Sequence, residues 1–121
     1  MSTQDTRALD AHAAIIELEA LPSAEVVAGS PSAGALGLGA LGGCDYGLWE
    51  MIEGAATDVE AEEVFVVLSG AATVSIEPFG GEGELTLTLA PGSVVHLQEG
   101  MRTTWTVTEP LRKVWFALSE D

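Results

Sequence analysis

The sequence predicts an all-β domain, an antiparallel sandwich or barrel with little helix, and three observations predict it. Short strand-like segments recur from residue 46 to residue 118, turn residues separate them at regular intervals, and no convincing long helix intervenes. Leu85-Thr86-Leu87-Thr88-Leu89 alternates strictly, the pattern of a strand with one face buried and the other wetted by threonine.

The elements follow in order. Residues 1–10 are polar and read as loose. Residues 13–21 fit a short helix or a strand, and the alternation Ile16-Glu17-Leu18-Glu19 favours a strand. Pro22-Ser23 and Gly29-Ser30-Pro31-Ser32 punctuate the chain as turns. Residues 34–43, rich in Gly, Ala and Leu, read as a strand with glycine bends; no helix signal follows that would make them a phosphate loop. Strands are then expected at 46–52, 63–68, 72–77, 84–90, 93–97, 103–108 and 113–118. The turns between them fall at Gly54, Ser69-Gly70, Pro78 with Gly80-Gly81, Pro91-Gly92, Gly100 and Glu109-Pro110. The chain of 121 residues fits one compact domain, with residues 1–21 as a partly ordered N-terminal segment and 22–121 as the β domain.

Composition excludes several classes. The chain is 47% hydrophobic, ordinary for a folded protein, and has no apolar run of the ~18 residues a membrane span requires. Nineteen Asp and Glu against four Lys and Arg give a formal charge of −15, a field that repels phosphate backbones and anionic membranes. This acidity reads as solubility. Neither nucleic acid nor membrane is an expected partner. The acidic start, with no long apolar stretch, does not read as a secretory signal, and the single Cys44 cannot form an internal disulfide; both point to the cytoplasm.

Residues 64–68, Val-Phe-Val-Val-Leu, are apolar on both faces. Leaving Val64, Val66 and Leu68 in water would forgo about 1.5–3 kcal/mol each. A homodimer is expected to cover them through the same patch on both subunits, with the N-terminal residues 15–21 as the competing cover.

Several elements together resemble a known family. Ala28-Gly29-Ser30-Pro31, Gly47-Leu48-Trp49-Glu50, Glu63 followed by six residues and Gly70, Pro91-Gly92, Gly100, Thr104-Trp105 and the run from Glu109-Pro110 through Lys113-Val114 stand in the order and spacing of the cupin superfamily. Within it, the chain is similar to small single-domain proteins resembling the cupin domain of ureidoglycine aminohydrolase. The resemblance implies a double-stranded β-helix, the jelly-roll or cupin barrel. It also implies a metal site, which fails residue by residue. Glu63 and Gly70 fit the end of the first motif, but the His-x-His slots hold Thr57 and Val59, or Ala56 and Asp58. In the second motif Gln98 replaces proline, Ser93 the usual aspartate, and Thr103 the third histidine. One carboxylate and a threonine cannot replace three imidazoles, so no metal cofactor is expected.

The resemblance and period-two alternation place Trp49, Met51, Glu63, Phe65, Thr103 and Trp105 on the interior wall, as the residues lining a small-molecule site. Glu63 is the candidate acid or base; structurally it would bond Thr103, a tryptophan N–H or Arg102. Core packing is the other role for the tryptophans. Trp115, alternating with Lys113 and Ala117, is expected outside, in an interface. Asp58, Glu60, Glu62 and Glu63 read as a solvated acidic run, with Glu60 and Glu62 turned away from Glu63. His96, Cys44 and His12 show no catalytic spacing. Three functions compete: a metal-independent small-molecule-binding cupin, a metal-dependent enzyme resembling the aminohydrolase, and a structural or interaction barrel filled by its own side chains.

Overall fold

The computed structural model describes residues 7–119. Nine strands run β1 (Glu19–Ala20), β2 (Val26–Ala28), β3 (Ser32–Leu41), β4 (Cys44–Met51), β5 (Gly54–Val59), β6 (Glu63–Ile76), β7 (Leu85–Leu89), β8 (Val94–Leu97) and β9 (Arg102–Leu118). All pairs are antiparallel, and no helix forms among the described residues. The all-β cupin barrel expected from the sequence is the architecture observed. No described helix is long and apolar enough to cross a membrane.

The two longest strands, β6 and β9, pair along their whole length and organise the rest. On the other edge of β9, residues 111–118 pair with β4 and residues 102–107 with β5. On the other edge of β6, residues 63–66 pair with β8 and residues 72–76 with β7. One half-sheet is therefore β1-β3-β4-β9-β6-β8, and the other is β2-β5-β9-β6-β7. Side chains from both halves join in one core, which includes Met51, Phe65, Val67, Val74, Leu89, Leu97, Trp105 and Leu111.

The bend between the halves lies where two turns were expected. Ser69-Gly70 and Glu109-Pro110 do not end strands; they sit against each other in an irregular stretch of the continuous β6–β9 ladder. Gly70 has φ 93°, and a Cβ there would fall 2.0 Å from the Pro110 carbonyl oxygen, so only glycine allows the close approach. Pro110, which has no N–H to give, is tolerated at such an irregularity.

The sequence reading also passed over β5. Gly54-Ala55-Ala56-Thr57-Asp58 has Thr57 as its one β-branched residue and no aromatic, a weak strand signal. Here small size is the requirement: Ala55 and Ala56 are buried, and β5 fits between β9 and β2.

The outer face of the first half-sheet is only partly covered. The N-terminal stretch turns at Asp10, whose carboxylate accepts from the backbone N–H groups of His12 and Ala13. It is then held by Arg112, whose Nη1 donates to the carbonyls of Ala11, His12 and Ala14 at 2.9, 3.2 and 2.7 Å while Nε donates to Glu50 at 2.8 Å. The chain passes so close over β3 that a Cβ at Gly34 would meet the Glu17 carbonyl at 1.9 Å. This cover goes to β3, β4 and β9. Val64 (37% exposed), Val94 (70%) and Phe116 (41%) stay open.

Candidate functional site

A cavity of about 280 Å³ lies between the half-sheets. β3 contributes Ala35, β4 Trp49 and Met51, β6 Glu63, and the distal part of β9 Lys113, Trp115 and Ala117. From the other half come Ala56, Thr57 and Asp58 of β5, Glu60 just after it, and Trp105 of β9; Leu21 and Glu25 also line it.

Lys113 is the centre of this arrangement. It is 5% exposed, and its Nζ donates to Glu63 Oε2 at 2.6 Å. The same ammonium lies 4.7 Å from the Trp49 ring centroid, 4.1 Å from Phe65 and 4.8 Å from Trp105. Three aromatic faces and a carboxylate thus replace the water a buried ammonium gives up. Strand pairing builds the cluster: Trp49 is opposite Lys113 on one side, and Val67 of β6 opposite it on the other.

Glu60 forms a second polar centre, only 6% exposed. Its Oε2 accepts from Thr103 Oγ1 at 2.6 Å and from Trp105 Nε1 at 3.0 Å. These are the hydroxyl and indole partners expected for Glu63, and they go to Glu60 instead. Asp58, on the strand leading to Glu60, has its carboxyl raised to about 6 by burial first and by the negative charge of Glu60 second, with Glu25 adding to the effect. A backbone bond from Val59 N–H and the charge of Lys113 pull the other way.

Of the six residues placed on the wall from sequence, Trp49, Met51, Glu63 and Trp105 line the cavity. Phe65 is wholly buried behind Lys113, and Thr103 is buried against Glu60. Trp115 corrects an expectation: it faces the cavity, its indole N–H bonded to the Leu48 carbonyl at 3.0 Å. The expectation took the face shared with Lys113 and Ala117 as the outer one, but Lys113 is buried and Ala117 also lines the cavity. β9 is continuous, and Thr103, Trp105 and Val107 before the bend and Leu111, Lys113, Trp115 and Ala117 after it turn inward, while Glu109 at the bend is exposed. The solvated acidic run is corrected at Glu60, which is buried and lines the cavity; Asp58 also lines it but stays exposed. Glu62 does face away: it accepts from Glu99 N–H and binds exposed His96 at 2.5 Å, and these contacts, the backbone one first, hold its carboxyl below the usual range.

The residues present do not fit a histidine-held metal. The family's ligand slots hold Thr57, Val59, Ala56, Asp58 and Thr103, and the surviving Glu63 gives its Oε2 to Lys113. Neither histidine lines the cavity. Among the described residues no three His, Cys, Asp or Glu side chains gather as a metal cluster.

A family model described as the EutQ-like cupin domain matches residues 38–115. The EutQ protein of Clostridium difficile superposes with a TM-score of 0.59 at 18% identity, over 75% of this chain and 71% of that one. A protein of unknown function from Rhizobium leguminosarum gives 0.61 at 23% identity, over 73% and 82%. A DUF861 protein of unknown function from Pseudomonas syringae gives 0.65 at 18% identity, over 93% of this chain but 46% of that one. No curated protein matches the chain by sequence.

Proposed function

Because this chain belongs to the family of EutQ-like cupin domains, we propose that it binds a small molecule in the cavity between its half-sheets and does so without a histidine-held metal. The observation that carries this reading is the Lys113–Glu63 pair, an ammonium built into the protein beside the family's surviving carboxylate. Trp49, Met51, Glu63 and Trp105 then act as contact residues, joined by Trp115, while Phe65 and Thr103 hold the wall from behind. An apolar cleft with a few converging polar groups is the usual form of a small-molecule site. If the bound molecule reacts, Glu63 is the acid or base, with Lys113 as its proton-exchanging neighbour. The aminohydrolase-like, metal-dependent alternative would need imidazole donors that the cavity lacks.

A thermal-shift screen of small metabolites against the wild type and Glu63→Gln tests the proposal, alongside metal analysis of protein purified without chelator. Stabilisation of the wild type by a compound that Glu63→Gln binds less well is expected, with metal below stoichiometry. Stoichiometric zinc, iron, nickel or copper would favour the enzyme reading. No stabilising compound at all would favour the self-filled barrel.

We also propose a cytoplasmic homodimer that buries the open outer face around Val64, Val94 and Phe116. Their exposure after the N-terminal stretch has taken its place on the neighbouring strands supports this, as does the side-by-side pairing of Val64 with Phe116 and of Val66 with Val94.

A further inference from the structure

The cavity is far from charge-balanced. Four carboxylates line it, Glu25, Asp58, Glu60 and Glu63, against the one ammonium of Lys113. Lys113 already has Glu63 and three aromatic faces, so its charge is spoken for and does little to offset the others. Glu60 is the informative residue. It is more than nine-tenths buried and lines the cavity, yet both of its hydrogen bonds fall on Oε2. Among the described residues none falls on Oε1. No buried side-chain oxygen among the described residues lacks a partner, so this second oxygen is not sealed off and is an acceptor that a donor or a positive charge can reach.

Resting on the reading of this cavity as a binding site, we infer that its ligand is a small organic cation, a primary or alkylated ammonium. The cation's charge answers Glu60 and Asp58, and its carbon groups lie against Trp115 and Trp105. Tryptophan faces are the best partners for such groups, and carboxylates beside them add the long-range attraction. The walls already hold one cation in this way, the Lys113 ammonium. The raised Asp58 carboxyl agrees with the inference: burial is the first cause, Glu60 and then Glu25 add repulsion, and a bound positive charge would relieve that repulsion. A ligand anion would meet the opposite field. At about 280 Å³ the space admits a molecule of choline's size and excludes large ones.

The test uses three probes of one shape and different charge: choline, 3,3-dimethylbutan-1-ol and 3,3-dimethylbutanoate. Calorimetry on the full chain at pH 7.5 is expected to show choline at least about tenfold tighter than the neutral alcohol, and no binding of the anion. Asp58→Asn should weaken choline by about five-fold and leave the alcohol unchanged. Choline affinity of the wild type should fall as pH drops through about 6, where Asp58 protonates, and Asp58→Asn should flatten that dependence. The groups setting this titration are Glu60, Glu25, Lys113 and the Val59 N–H, with Arg102 and Glu77 on the adjoining hollow that Asp58 shares. Equal or tighter binding of the alcohol or the anion overturns the cation assignment while leaving the cavity a binding site. Choline bound with no loss in Asp58→Asn and no pH dependence puts the cation elsewhere and overturns it too. Failure of all three probes, and of methyl- to tetramethylammonium, overturns it as well; only failure of the wider screen removes the binding site itself.

Discussion

Lys113 and Glu63 meet at 2.6 Å although fifty positions separate them in the chain. They stand on neighbouring strands of one half-sheet, with the Trp49, Phe65 and Trp105 rings around the ammonium. A buried pair of this kind fixes the arrangement of its surroundings more than it adds net stability.

Lys113→Met is therefore expected to destabilise the fold by about 3–5 kcal/mol, because it leaves Glu63 charged with no counter-ion. The double variant Lys113→Met/Glu63→Gln should recover most of the loss. Urea unfolding followed by tryptophan fluorescence measures both. If the double variant is no more stable than the single one, the ammonium's aromatic contacts, and not the ion pair, matter most.

Asp58 gives a pH signature. Its folded-state value of about 6 lies above the ordinary 3.8, so the native state holds the proton more tightly than the unfolded chain does. Its contribution to stability falls as pH rises from about 4 to about 6, and the penalty is full above that. Asp58→Asn removes the penalty and keeps an oxygen for the Val59 N–H. The variant should match the wild type near pH 4 and exceed it above pH 6, by no more than about 1 kcal/mol because the side chain is partly in solvent. The difference between the two unfolding curves across pH is the measurement.

Gly70→Ala should cost more than about 3 kcal/mol, since the new Cβ would press into backbone at a positive φ. Gly80→Ala is the control. Its φ of 59° is also positive, but nothing lies within 4 Å of its Cβ, so about 1–2 kcal/mol is expected. Similar losses from the two would mean that the β6–β9 bend does not depend on the approach to Pro110.

Arg112→Gln should release the N-terminal stretch, whose carbonyls share that one guanidinium. Amide exchange is expected to accelerate over residues 13–18 while the β6–β9 spine keeps its protection. Unchanged exchange there would show that packing against Gly34, and not Arg112, holds the segment.

Sedimentation equilibrium tests the dimer. The wild type should associate more strongly as salt screens the −15 charge of each chain, and Val64→Asp or Val94→Asp should yield monomer. A wild-type monomer at high salt and high concentration would leave the open face without a second subunit.

The strand pattern was legible because alternation and turn residues are local signals. The 85–89 strand lies where alternation put it, and β3 carries the glycine irregularity expected of it, a register shift between Gly37 and Gly39. Glu63, Phe65 and Val67 share an inward face as their spacing implied. The departure of the family's histidines was legible too, since it is a matter of residue identity alone.

Other features depended on what the bend does to parity. Inward positions on β6 change from odd (Phe65, Val67) to even (Ala72, Val74, Ile76) across Gly70, while on β9 they are odd on both sides of exposed Glu109 (Thr103 to Val107, and Leu111 to Ala117). A lysine reads in sequence as a solvent-facing charge, so Trp115, which shares the face of the buried Lys113, was expected outside. Pairing within each half sets the polar partners: β6 against the 111–118 part of β9 puts Lys113 beside Glu63, and β5 against the 102–107 part puts Thr103 and Trp105 beside Glu60. The sequence by itself determined a β barrel with an aromatic interior and no imidazole ligands. Only the tertiary structure decided which acids are buried and which cation answers them, because those partners are chosen by strand register between segments forty to fifty residues apart.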